Sequence, residues 1–548
     1  MPAEPDTGRL TLGDTMTNAQ YSDESADYVV VGAGAAGAAL SARLSENGRY
    51  QVVLLEAGGT ARAQAVNVPA AFSQLFKTDR DWDYQTAPQT SLDNRSIYWP
   101  RGRMLGGSTS MNAMMWVRGF AQDYDRWAEL AGSDWSFEAL LPYFRRVEHV
   151  AGSADPDHGT SGAIQVQAQR DPRPLTGAFL AAVEETGHAV EAANTRTPAG
   201  FSQTMVTQAR GARSSTAVAY LKPAQSRRNF TVHTGAHATR VLFEGTRAVG
   251  VEFEQNGRTR TCRARREVVL CGGTINTPQL LQLSGIGDPA LLRSHGIDVV
   301  VDAPDVGRHL RDHLVGFLVA EVEGGSLLDV TKPRALVDYL LRRRGMLTSN
   351  VAEAYGFLRV GDGPGLPDVE LIFAPAAYVD EGLTGIPSHA ITLGAILLQP
   401  ESSGVVEVTS SDPHAKPTID PRYLSDPDGH DMQILTAGLE ACADILAAPS
   451  LKAVTTGRFV RPFGGETMSP EDRIRAAITR HAHTLYHPVG TARMGDDPAS
   501  VVDPQLRVRG VEGLRVADAS VMPQIIRGHT NAPSIVIGEK AADLLAAG

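Results

Sequence analysis

The chain has 548 residues, of which 51 are Lys or Arg and 62 are Asp or Glu, giving a formal net charge of −11. This acidic balance argues against nucleic acid and against an anionic membrane surface as partners. With 42% hydrophobic residues and a mean hydropathy of −0.16, the composition is that of an ordinary globular protein, and the length predicts two or three domains.

The chain begins with a polar stretch, residues 1–26, that lacks the basic and apolar regions of a secretory signal. We predict that it is a disordered leader. No later apolar run reaches the roughly 18 residues that a transmembrane helix needs, so no membrane-spanning segment is expected. The three cysteines, Cys262, Cys271 and Cys442, form no CxxC pair and no disulfide framework, which favours a reducing, cytoplasmic location.

A strand–turn–helix–strand pattern follows at residues 28–56. The apolar run Tyr28–Val31 predicts a buried parallel strand, and the alanine-rich stretch after it predicts a helix. A second apolar run, Gln51–Leu55, ends in Glu56, which we expect to accept a hydrogen bond from a ribose hydroxyl. The turn between the first strand and the helix contains a GxGxxG motif, formed by Gly32, Gly34 and Gly37.

Each glycine of this motif has a separate role in binding a dinucleotide. Gly32 makes the tight turn, Gly34 lets the backbone approach a diphosphate, and Gly37 packs the helix against the strand. The diphosphate then lies at the N-terminus of the helix, where free amide groups and the helix dipole favour an anion. The motif by itself does not distinguish FAD from NAD.

A second glycine-rich stretch, PRGRMLGGSTSMNAMMWVRG, occupies residues 100–119. Its Gly-Gly-Ser core, residues 106–108, permits close backbone approach to a ring system and a diphosphate and offers amide and hydroxyl donors. The stretch from Gly102 through Asn112 resembles the first signature of the glucose–methanol–choline (GMC) oxidoreductases. Four further stretches resemble this family in the family's order: GTINTPQLLQLSGIG at 273–287, VVDAPDVGRHLRDH at 300–313, YHPVGTARMG at 486–495 and GLRVADASVMP at 513–523.

The resemblance implies an α/β fold in which a Rossmann-type FAD-binding domain with a parallel sheet is joined to a mixed α+β substrate domain, built on an antiparallel sheet flanked by helices. The sequence pattern agrees, because Val268–Leu270 predicts a short buried strand and residues 229–270 alternate in short strands around turns at Glu244-Gly245 and Asn256-Gly257. After the leader, the implied segments are 27–150 (FAD-binding), 151–228 (mostly substrate domain), 229–315 (FAD-binding), 316–500 (substrate and C-terminal domain) and 501–548 (FAD-binding, with a helix that closes the active site).

The resemblance also implies FAD rather than NAD as the tightly bound cofactor. Ala238 takes the place of a residue that stacks near adenine, Asp518 matches an acid near the ribityl–diphosphate region, and Asn531 stands where the backbone approaches the flavin pyrimidine edge. Some relatives link FAD covalently through a histidine just before the signature asparagine; Met111 stands there, so non-covalent FAD is expected. The residues expected to bind the cofactor are Gly32, Gly34, Ala35, Gly37, Glu56, Ala57, Arg103, Gly106, Gly107, Ser108, Asn112, Ala238, Cys271, Gly272, Asp518, Ala519, Asn531 and Pro533.

Two of the 15 histidines stand at positions that resemble the family's catalytic groups. His487 lies in an HPxGT motif, where Pro488 and Gly490 restrict the backbone, and the family's histidine at this place takes the proton of the substrate hydroxyl. An imidazole, which titrates near neutral pH, suits that task. His529, just before the closing helix, matches the second active-site group of the aryl-alcohol oxidase and glucose oxidase branches. A small shift in register would give that role to Asn531.

The function implied is oxidation of an alcohol CH–OH to an aldehyde or ketone. Hydride would pass to flavin N5, with His487 as the base and His529 as the hydrogen-bond donor to the substrate oxygen, and electrons would leave to O₂ or a quinone-type acceptor. Two alternatives stay open: a GMC-type lyase resembling the hydroxynitrile lyases, and a non-catalytic flavin-binding protein. A metal site is not expected, because the HxH pair of His481 and His483 has no acidic or cysteine ligand nearby.

The sequence indicates the substrate less clearly than the reaction. A primary alcohol of aromatic or medium aliphatic type is the leading hypothesis. Glu353 lies where the choline oxidases, which this stretch resembles, place an acid for a quaternary ammonium, so a cationic substrate is the alternative. Phe373 and Tyr378 are candidate wall residues of the substrate pocket, although packing in a core explains them equally well.

Overall fold

Two seven-stranded sheets organise the part of the chain that the computed structural model describes, residues 24–361 and 363–547. The first four strands of the first sheet are parallel to one another, and the remaining two are joined by antiparallel hairpins. The strand order is Phe230–Thr234, Val52–Glu56, Glu24–Val31, Arg258–Leu270, Arg247–Gln255 and Ala236–Glu244, with Leu514–Val516 added in parallel beside Arg258–Leu270.

The centre of this sheet is apolar because helices cover it. Val29 and Val30 of the central strand and Leu54 of its neighbour have no exposed surface, as expected for parallel strands that are buried on both faces. Helix Ala35–Leu44, which follows the glycine turn, packs against the C-terminal helix Asn531–Ala547. The first and last α-helices of the described ranges therefore belong to one core.

The central strand begins earlier than the sequence predicts. Glu24–Ala26 pair in parallel with Cys262–Ala264, so these three residues belong to the sheet and not to the predicted leader. Their pairing partners are backbone groups of strand Arg258–Leu270, and the local sequence around residue 24 does not indicate this distant partner. The rest of the predicted leader, residues 1–23, lies outside the described residues.

The strand that ends just before Cys271-Gly272 is also longer than its apolar part. It runs over 13 residues, Arg258–Leu270, whereas the sequence predicts only Val268–Leu270. Its arginine-rich first half pairs with Arg247–Gln255 in a hairpin whose turn is the predicted Asn256-Gly257, with both residues at positive φ as a type I′ turn requires. Cross-strand pairing at a half-exposed edge thus extends a strand that hydropathy alone ends early.

The second sheet is antiparallel throughout and is covered by helix His430–Ala447. Leu435 and Leu439 of that helix pack in one core with Leu393 and Ala395 of the sheet. The strand order is Thr455–Arg461, Leu314–Val322, Ala390–Leu397, Val369–Ala374, Ala354–Leu358 and Phe201–Gln203, with His483–Thr484 added beside Leu314–Val322. A parallel-centred sheet joined to an antiparallel sheet with flanking helices confirms the predicted fold class.

Further helices and strands complete the described ranges. Among all the helices of these ranges, none is both long enough and apolar enough to cross a bilayer. The further α-helices are Gln64–Asn67, Ala121–Ala131, Phe137–Val147, Pro174–Glu185, Lys222–Ala224, Gly273–Leu283, Pro289–Ser294, Pro333–Arg342, Pro449–Lys452 and Pro470–Thr479. The further strands are Tyr84–Gln85, Tyr98–Trp99, Glu148–Val150, Ile164–Ala168, Met205–Val206, Gln208–Ala209, Ala212–Arg213, Ile286–Gly287, Val301–Asp302, Val405–Glu407 and Thr418–Asp420.

The contact between the first and last helices depends on a glycine. A Cβ atom added at Gly538 would lie 2.3 Å from the Ala36 carbonyl oxygen, and backbone cannot move aside cheaply. We therefore expect Gly538→Ala to destabilise the protein by about 1–3 kcal/mol or more and to lower its Tm. Gly177, inside helix Pro174–Glu185, is the matched control because a Cβ there meets no atom within 4 Å.

The control substitution, Gly177→Ala, should leave the Tm unchanged or raise it, since alanine in a helix is favoured over glycine by about 0.5–1 kcal/mol. Thermal unfolding of the two variants beside the parent provides the measurement. A Tm for Gly538→Ala equal to that of Gly177→Ala would contradict the close helix contact.

Candidate active site

One long cavity is lined by residues of both sheets. From the first sheet it takes the carboxyl ends of parallel strands, at Val31, Glu56 and Leu270, which is where open α/β sheets bind ligands. The second sheet contributes Phe317 and Ile372 to the lining. The two halves of the fold therefore meet at this cavity, with a backbone-rich end and an aromatic end.

The structure brings nearly all of the sequence-predicted site residues to this cavity. Both predicted catalytic histidines and most of the predicted cofactor residues line it. Four predicted cofactor residues lie outside the lining. They are Gly37, Arg103, Gly106 and Pro533.

The glycine turn has the geometry that each glycine was predicted to provide. A Cβ at Gly32, whose φ is +101°, would lie 2.4 Å from the Cys271 carbonyl oxygen, and one at Gly37 would lie 2.0 Å from the Gly32 oxygen. A Cβ at Gly34, in contrast, meets no atom within 4 Å, so Gly34 faces open space in the cavity wall. Gly32 and Gly37 serve packing, and Gly34 leaves room for a ligand.

The start of helix Ala35–Leu44 is available to an anion. Gly34 is its N-cap residue and supplies no side-chain cap, so the first amide groups of the helix have no side-chain acceptor. Gly107, at φ +49°, closes on this turn, since a Cβ there would lie 2.8 Å from the Gly34 Cα. The two glycine stretches together form a backbone cradle that suits a diphosphate.

Glu56 lies at this cradle and is held by backbone. Its carboxylate accepts hydrogen bonds from the amides of Ala33 (2.9 Å) and Gly58 (2.8 Å). Burial raises the pKa of Glu56 to about 7, against the two amide bonds, which lower it. A carboxylate has about four lone-pair positions, so two remain for a ligand hydroxyl.

Asp518 and Asn112 line the cavity, and their side chains are hydrogen-bonded to other residues of the protein. Asp518 accepts from the Gly273 amide (2.8 Å) and the Thr277 hydroxyl (2.6 Å), and burial raises its pKa. It thus anchors the start of helix Gly273–Leu283 at the cavity wall. Asn112 Oδ1 accepts from the buried guanidinium of Arg213 at 2.7 Å.

The outer part of the backbone-rich end is aromatic. Ala238 lines it beside His237, whose ring meets the edge of Trp82 with a centroid distance of 5.7 Å. The Arg103 guanidinium lies over the other ring of this pair, 4.9 Å from the Trp82 centroid. Arg103 therefore supports an aromatic wall from behind, which explains why it lies outside the lining.

His487 is positioned by a short strand pair. Thr484 pairs with Leu314 at the edge of the second sheet, and the chain then loops so that the His487 amide donates to Asp312 Oδ1 at 2.8 Å. Asp312 is fully bonded, because the hydroxyls of Thr484 and Tyr423 also donate to it. This buried carboxylate holds the loop, and the imidazole of His487 faces the cavity.

A third histidine, His313, determines the tautomer of His487. His313 Nε2 lies 3.1 Å from the Leu398 carbonyl oxygen, which can only accept, so Nε2 carries the proton. Burial lowers the pKa of His313 to about 3, so its other nitrogen, Nδ1, is an acceptor. The 3.0 Å contact between the two Nδ1 atoms is therefore a hydrogen bond donated by His487, whose Nε2 keeps a free lone pair.

His529 faces His487 across the cavity. The two rings have centroids 4.6 Å apart, and both residues are buried. His529 Nε2 lies 3.0 Å from Oε1 of Glu370, a carboxylate with no exposed surface on strand Val369–Ala374. Burial first, and then electrostatic interaction with the neighbouring imidazoles of His529 and His313, hold the pKa of His487 well below its usual value.

The aromatic end of the cavity has a cation at its border, Arg101, whose guanidinium donates to the Tyr486 carbonyl oxygen at 2.7 Å. Phe76, Phe317 and Tyr378 line this end together with His483. His483 Nδ1 donates to the Thr484 carbonyl at 2.7 Å, and burial lowers the pKa of His483 to about 4, so its Nε2 is an acceptor with no hydrogen-bond partner in the described chain. This end suits an apolar body with few polar groups.

Two substrate-pocket hypotheses from the sequence are wrong. Glu353 is fully buried, accepts from the hydroxyls of Ser349 and Thr176 at 2.6 Å each, and is outside the cavity lining. Phe373 is stacked on Phe179 in the core of the second sheet, with centroids 4.5 Å apart. Strand alternation turns Phe373 away from the cavity that its neighbour Ile372 lines. Tyr378, beyond that strand, lines the cavity.

Sequence reasoning missed the partners of the two histidines. Glu370 interrupts the otherwise apolar strand VELIFA, and a lone acid in a buried strand is a signal that could have been used. His313 stands directly before the apolar strand Leu314–Val322, where a polar residue attracts little notice. Within the described ranges, no group of three or more His, Cys, Asp or Glu side chains could hold a metal ion.

Comparison with known proteins places this site in a family. Models of the N-terminal and C-terminal GMC oxidoreductase regions match residues 26–315 and 400–538. An uncharacterised GMC-type oxidoreductase of Mycobacterium tuberculosis is 56% identical over 527 residues, covering 95% of this chain and 99% of the relative. An alcohol dehydrogenase (acceptor) of Pseudomonas putida is 40% identical over 530 residues, covering 95% of each chain.

A solved structure agrees over the whole fold. Pyridoxine 4-oxidase from Mesorbium loti superimposes with a TM-score of 0.86 at 30% identity, covering 94% of this chain and 98% of the other. The glycine cradle, the paired histidines and these matches lead to one conclusion: the chain belongs to the GMC oxidoreductase family, whose members are FAD-dependent enzymes.

Proposed function

We propose that this protein oxidises the CH–OH group of an alcohol to an aldehyde or ketone, using non-covalently bound FAD and His487 as the base. The observation that carries the proposal is the hydrogen bond from His487 Nδ1 to His313, which leaves the lone pair of His487 Nε2 free in a cavity that also holds His529. FAD, when bound, supplies the acceptor for the hydride.

His487 is suited to take the hydroxyl proton because it is neutral and oriented. Its lowered pKa keeps Nε2 unprotonated at neutral pH, and His313 accepts from the opposite nitrogen. When His487 gains a proton, the Nδ1–H bond to His313 persists and strengthens, since the donor becomes charged. General-base assistance of this kind contributes roughly 10²–10⁴ in rate.

His529 is suited to hold the substrate oxygen. Its Nε2 is hydrogen-bonded to the carboxylate of Glu370, so Nδ1 is the nitrogen left to contact the substrate oxygen. The 4.6 Å separation of the two ring centroids allows one oxygen atom to contact both imidazoles. One histidine then orients the oxygen while the other removes its proton.

The backbone-rich end of the cavity suits FAD. Gly34 and Gly107 provide the cradle for the diphosphate, Glu56 retains acceptor capacity for a ribose hydroxyl, and the wall at Ala238 suits adenine. Met111, rather than histidine, lines the cavity before the signature asparagine, which supports non-covalent binding.

An uncharged alcohol of aromatic or medium aliphatic type suits the other end. The carboxylates among the described lining residues are Glu56 and Asp518, both at the cofactor end. With Glu353 buried elsewhere, the choline-type alternative loses its cation partner. We infer O₂ or a quinone as electron acceptor and a cytoplasmic location, the latter because the three cysteines are free and buried.

The reaction is tested by mixing the holoenzyme with alcohols under anaerobic conditions and following bleaching of the flavin by stopped-flow. Benzyl alcohol, medium-chain primary alcohols and choline form the first panel, and O₂ and quinones are then compared as oxidants. His487→Ala should lower the rate of flavin reduction about 10²- to 10⁴-fold. A half-buried histidine outside the cavity lining, in His295→Ala, is the matched control and should keep the parental rate.

The proposal fails if His487→Ala retains more than about a tenth of the parental rate of flavin reduction. A lyase would leave the flavin oxidised in the presence of every alcohol while cleaving its own substrate. A non-catalytic flavin protein would leave both flavin and alcohols unchanged.

The pH dependence of flavin reduction follows from the lowered pKa of His487. A base with a lowered pKa stays unprotonated as the pH falls, so the rate constant should remain level through pH 6.5, the ordinary histidine value, and decline only below it. Anaerobic stopped-flow at saturating alcohol across the stable pH range checks this. A decline centred at or above the ordinary value would mean that His487 is not held neutral by its surroundings.

The mode of cofactor attachment is tested by acid precipitation of the purified holoprotein. Because Met111 offers no histidine nitrogen for a covalent link, the yellow flavin should remain in the supernatant and the pellet should be colourless. Absorbance spectra of both fractions provide the measurement. A yellow pellet after denaturing washes would show covalent attachment instead.

A further inference from the structure

Helix Pro333–Arg342 has an unusual distribution of apolar side chains. Four large apolar residues of this ten-residue helix face solvent: Leu336 is 46% exposed, Val337 52%, Leu340 55% and Leu341 78%. At helical spacing these positions form a single stripe. Such contiguous exposure on a folded protein marks a surface that binds something.

The opposite face of the helix is the one that packs on the protein. Ala335 and Tyr339 are buried, and Tyr339 contacts Val68 and Ala71 in a small apolar cluster. The helix is therefore attached by a narrow face of small and aromatic residues. Its broad aliphatic face points outward, the reverse of the usual arrangement for a surface helix.

Cations flank the exposed stripe. Arg342, Arg343 and Arg344 follow one another at the C-terminal end, and the Arg343 guanidinium lies 4.8 Å over the Tyr339 ring. The carboxylates that face this cluster are Asp338, paired with Arg334 and Arg342, Asp329, paired with Lys332, and Asp171, paired with Arg344. The apolar stripe is thus surrounded by five cations and three carboxylates.

The helix adjoins the wall of the cavity. Ala71, which contacts Tyr339, belongs to the short helix Pro69–Leu75, whose Phe72 lines the cavity. The chain that leaves the helix reaches the cavity wall again at Asn350. A partner bound to the stripe would therefore lie close to the aromatic end of the active site.

We propose that helix Pro333–Arg342 is a docking surface for an anionic lipid bilayer. An aliphatic stripe bordered by arginines is the pattern of a helix that lies in the membrane interface, with its apolar side chains among the acyl chains and its cations at the headgroups. The acidic net charge of the whole chain argues against such a partner, but charges are screened beyond roughly 8–10 Å, so the local cluster determines the contact.

A second copy of the chain fits this surface less well. A two-fold contact with antiparallel helices would set the arginines at the C-terminal end of one copy against Lys332 and Arg334 of the other, and like charges repel. A stable dimer also buries about 800 Å² on each partner, far more than four side chains of one short helix supply. A lipid surface needs no such area and complements the charge.

The docking is tested with the holoprotein by co-sedimentation with vesicles. Vesicles of phosphatidylcholine alone are compared with vesicles in which roughly one third of the lipid is phosphatidylglycerol, at low and high salt. We expect binding to the anionic vesicles, weakened by salt, and little binding to phosphatidylcholine. Equal binding to both vesicle types, or none to either, would overturn the proposal. The readout needs no alcohol or electron acceptor, so it is independent of the proposed reaction.

Variants separate the apolar contribution from a general loss of surface hydrophobicity. L336S/L340S/L341S should lower the partition coefficient on anionic vesicles by at least about tenfold. V190S/V218S, which changes two other exposed valines, should bind like the parent. Equal Tm and flavin content in the two variants exclude a folding defect. Parental binding by the triple variant would contradict docking through this helix.

A second pair of variants tests the charge. R342Q/R343Q should weaken binding about tenfold or more, since each cation near an anionic surface contributes roughly fivefold. R258Q/R263Q, on the exposed half of strand Arg258–Leu270, removes the same charge elsewhere and should not. Analytical ultracentrifugation tests the remaining alternative, which is a second copy of the chain. A dimer that L336S/L340S/L341S dissociates, without vesicle binding by the parent, would assign the surface to a second copy and overturn the lipid proposal.

Discussion

The hydrogen bond between His487 and His313 is the constraint on which the chemistry of this site depends. It determines which nitrogen of His487 carries the proton, because the Leu398 carbonyl determines the tautomer of His313. Burial lowers the pKa of both imidazoles, which favours their neutral forms and this direction of the bond. Geometry and desolvation thus orient a free lone pair of His487 toward the cavity. Without these two hydrogen bonds, His487 could present either nitrogen to the cavity.

The two sheets contribute to this site in different ways. The first sheet supplies backbone: glycine turns at the ends of parallel strands, where missing Cβ atoms leave room at Gly34 and force close contact at Gly32. The second sheet supplies side chains, with Glu370 on a strand and His487 on a loop that a strand pair holds. Backbone suits a large anionic cofactor, whereas oriented side chains suit proton transfer. The segment just before the C-terminal helix reaches the second sheet through the contact of His529 with Glu370.

The predictions that succeeded concern residues whose neighbours lie close in sequence. The strand–turn–helix pattern is local: a Cβ at Gly37 would meet the Gly32 oxygen, and Gly34 is the N-cap residue of the helix that follows. Predictions failed where long-range pairing decided the outcome. Residues 24–26 became a strand through pairing with Cys262–Ala264, and Glu353 accepts a hydrogen bond from the hydroxyl of Thr176, 177 residues away, beside one from nearby Ser349.

The sequence by itself determined the family, the fold class and the positions of both histidines, because these follow from short motifs in a particular order. Only the tertiary structure decided the proton arrangement at His487 and the pairing of His529 with Glu370, since 174 and 159 residues separate the partners. It also decided that the aliphatic stripe of helix Pro333–Arg342 faces outward. Helical periodicity defines two faces, but only the packing of Tyr339 shows which one the core takes.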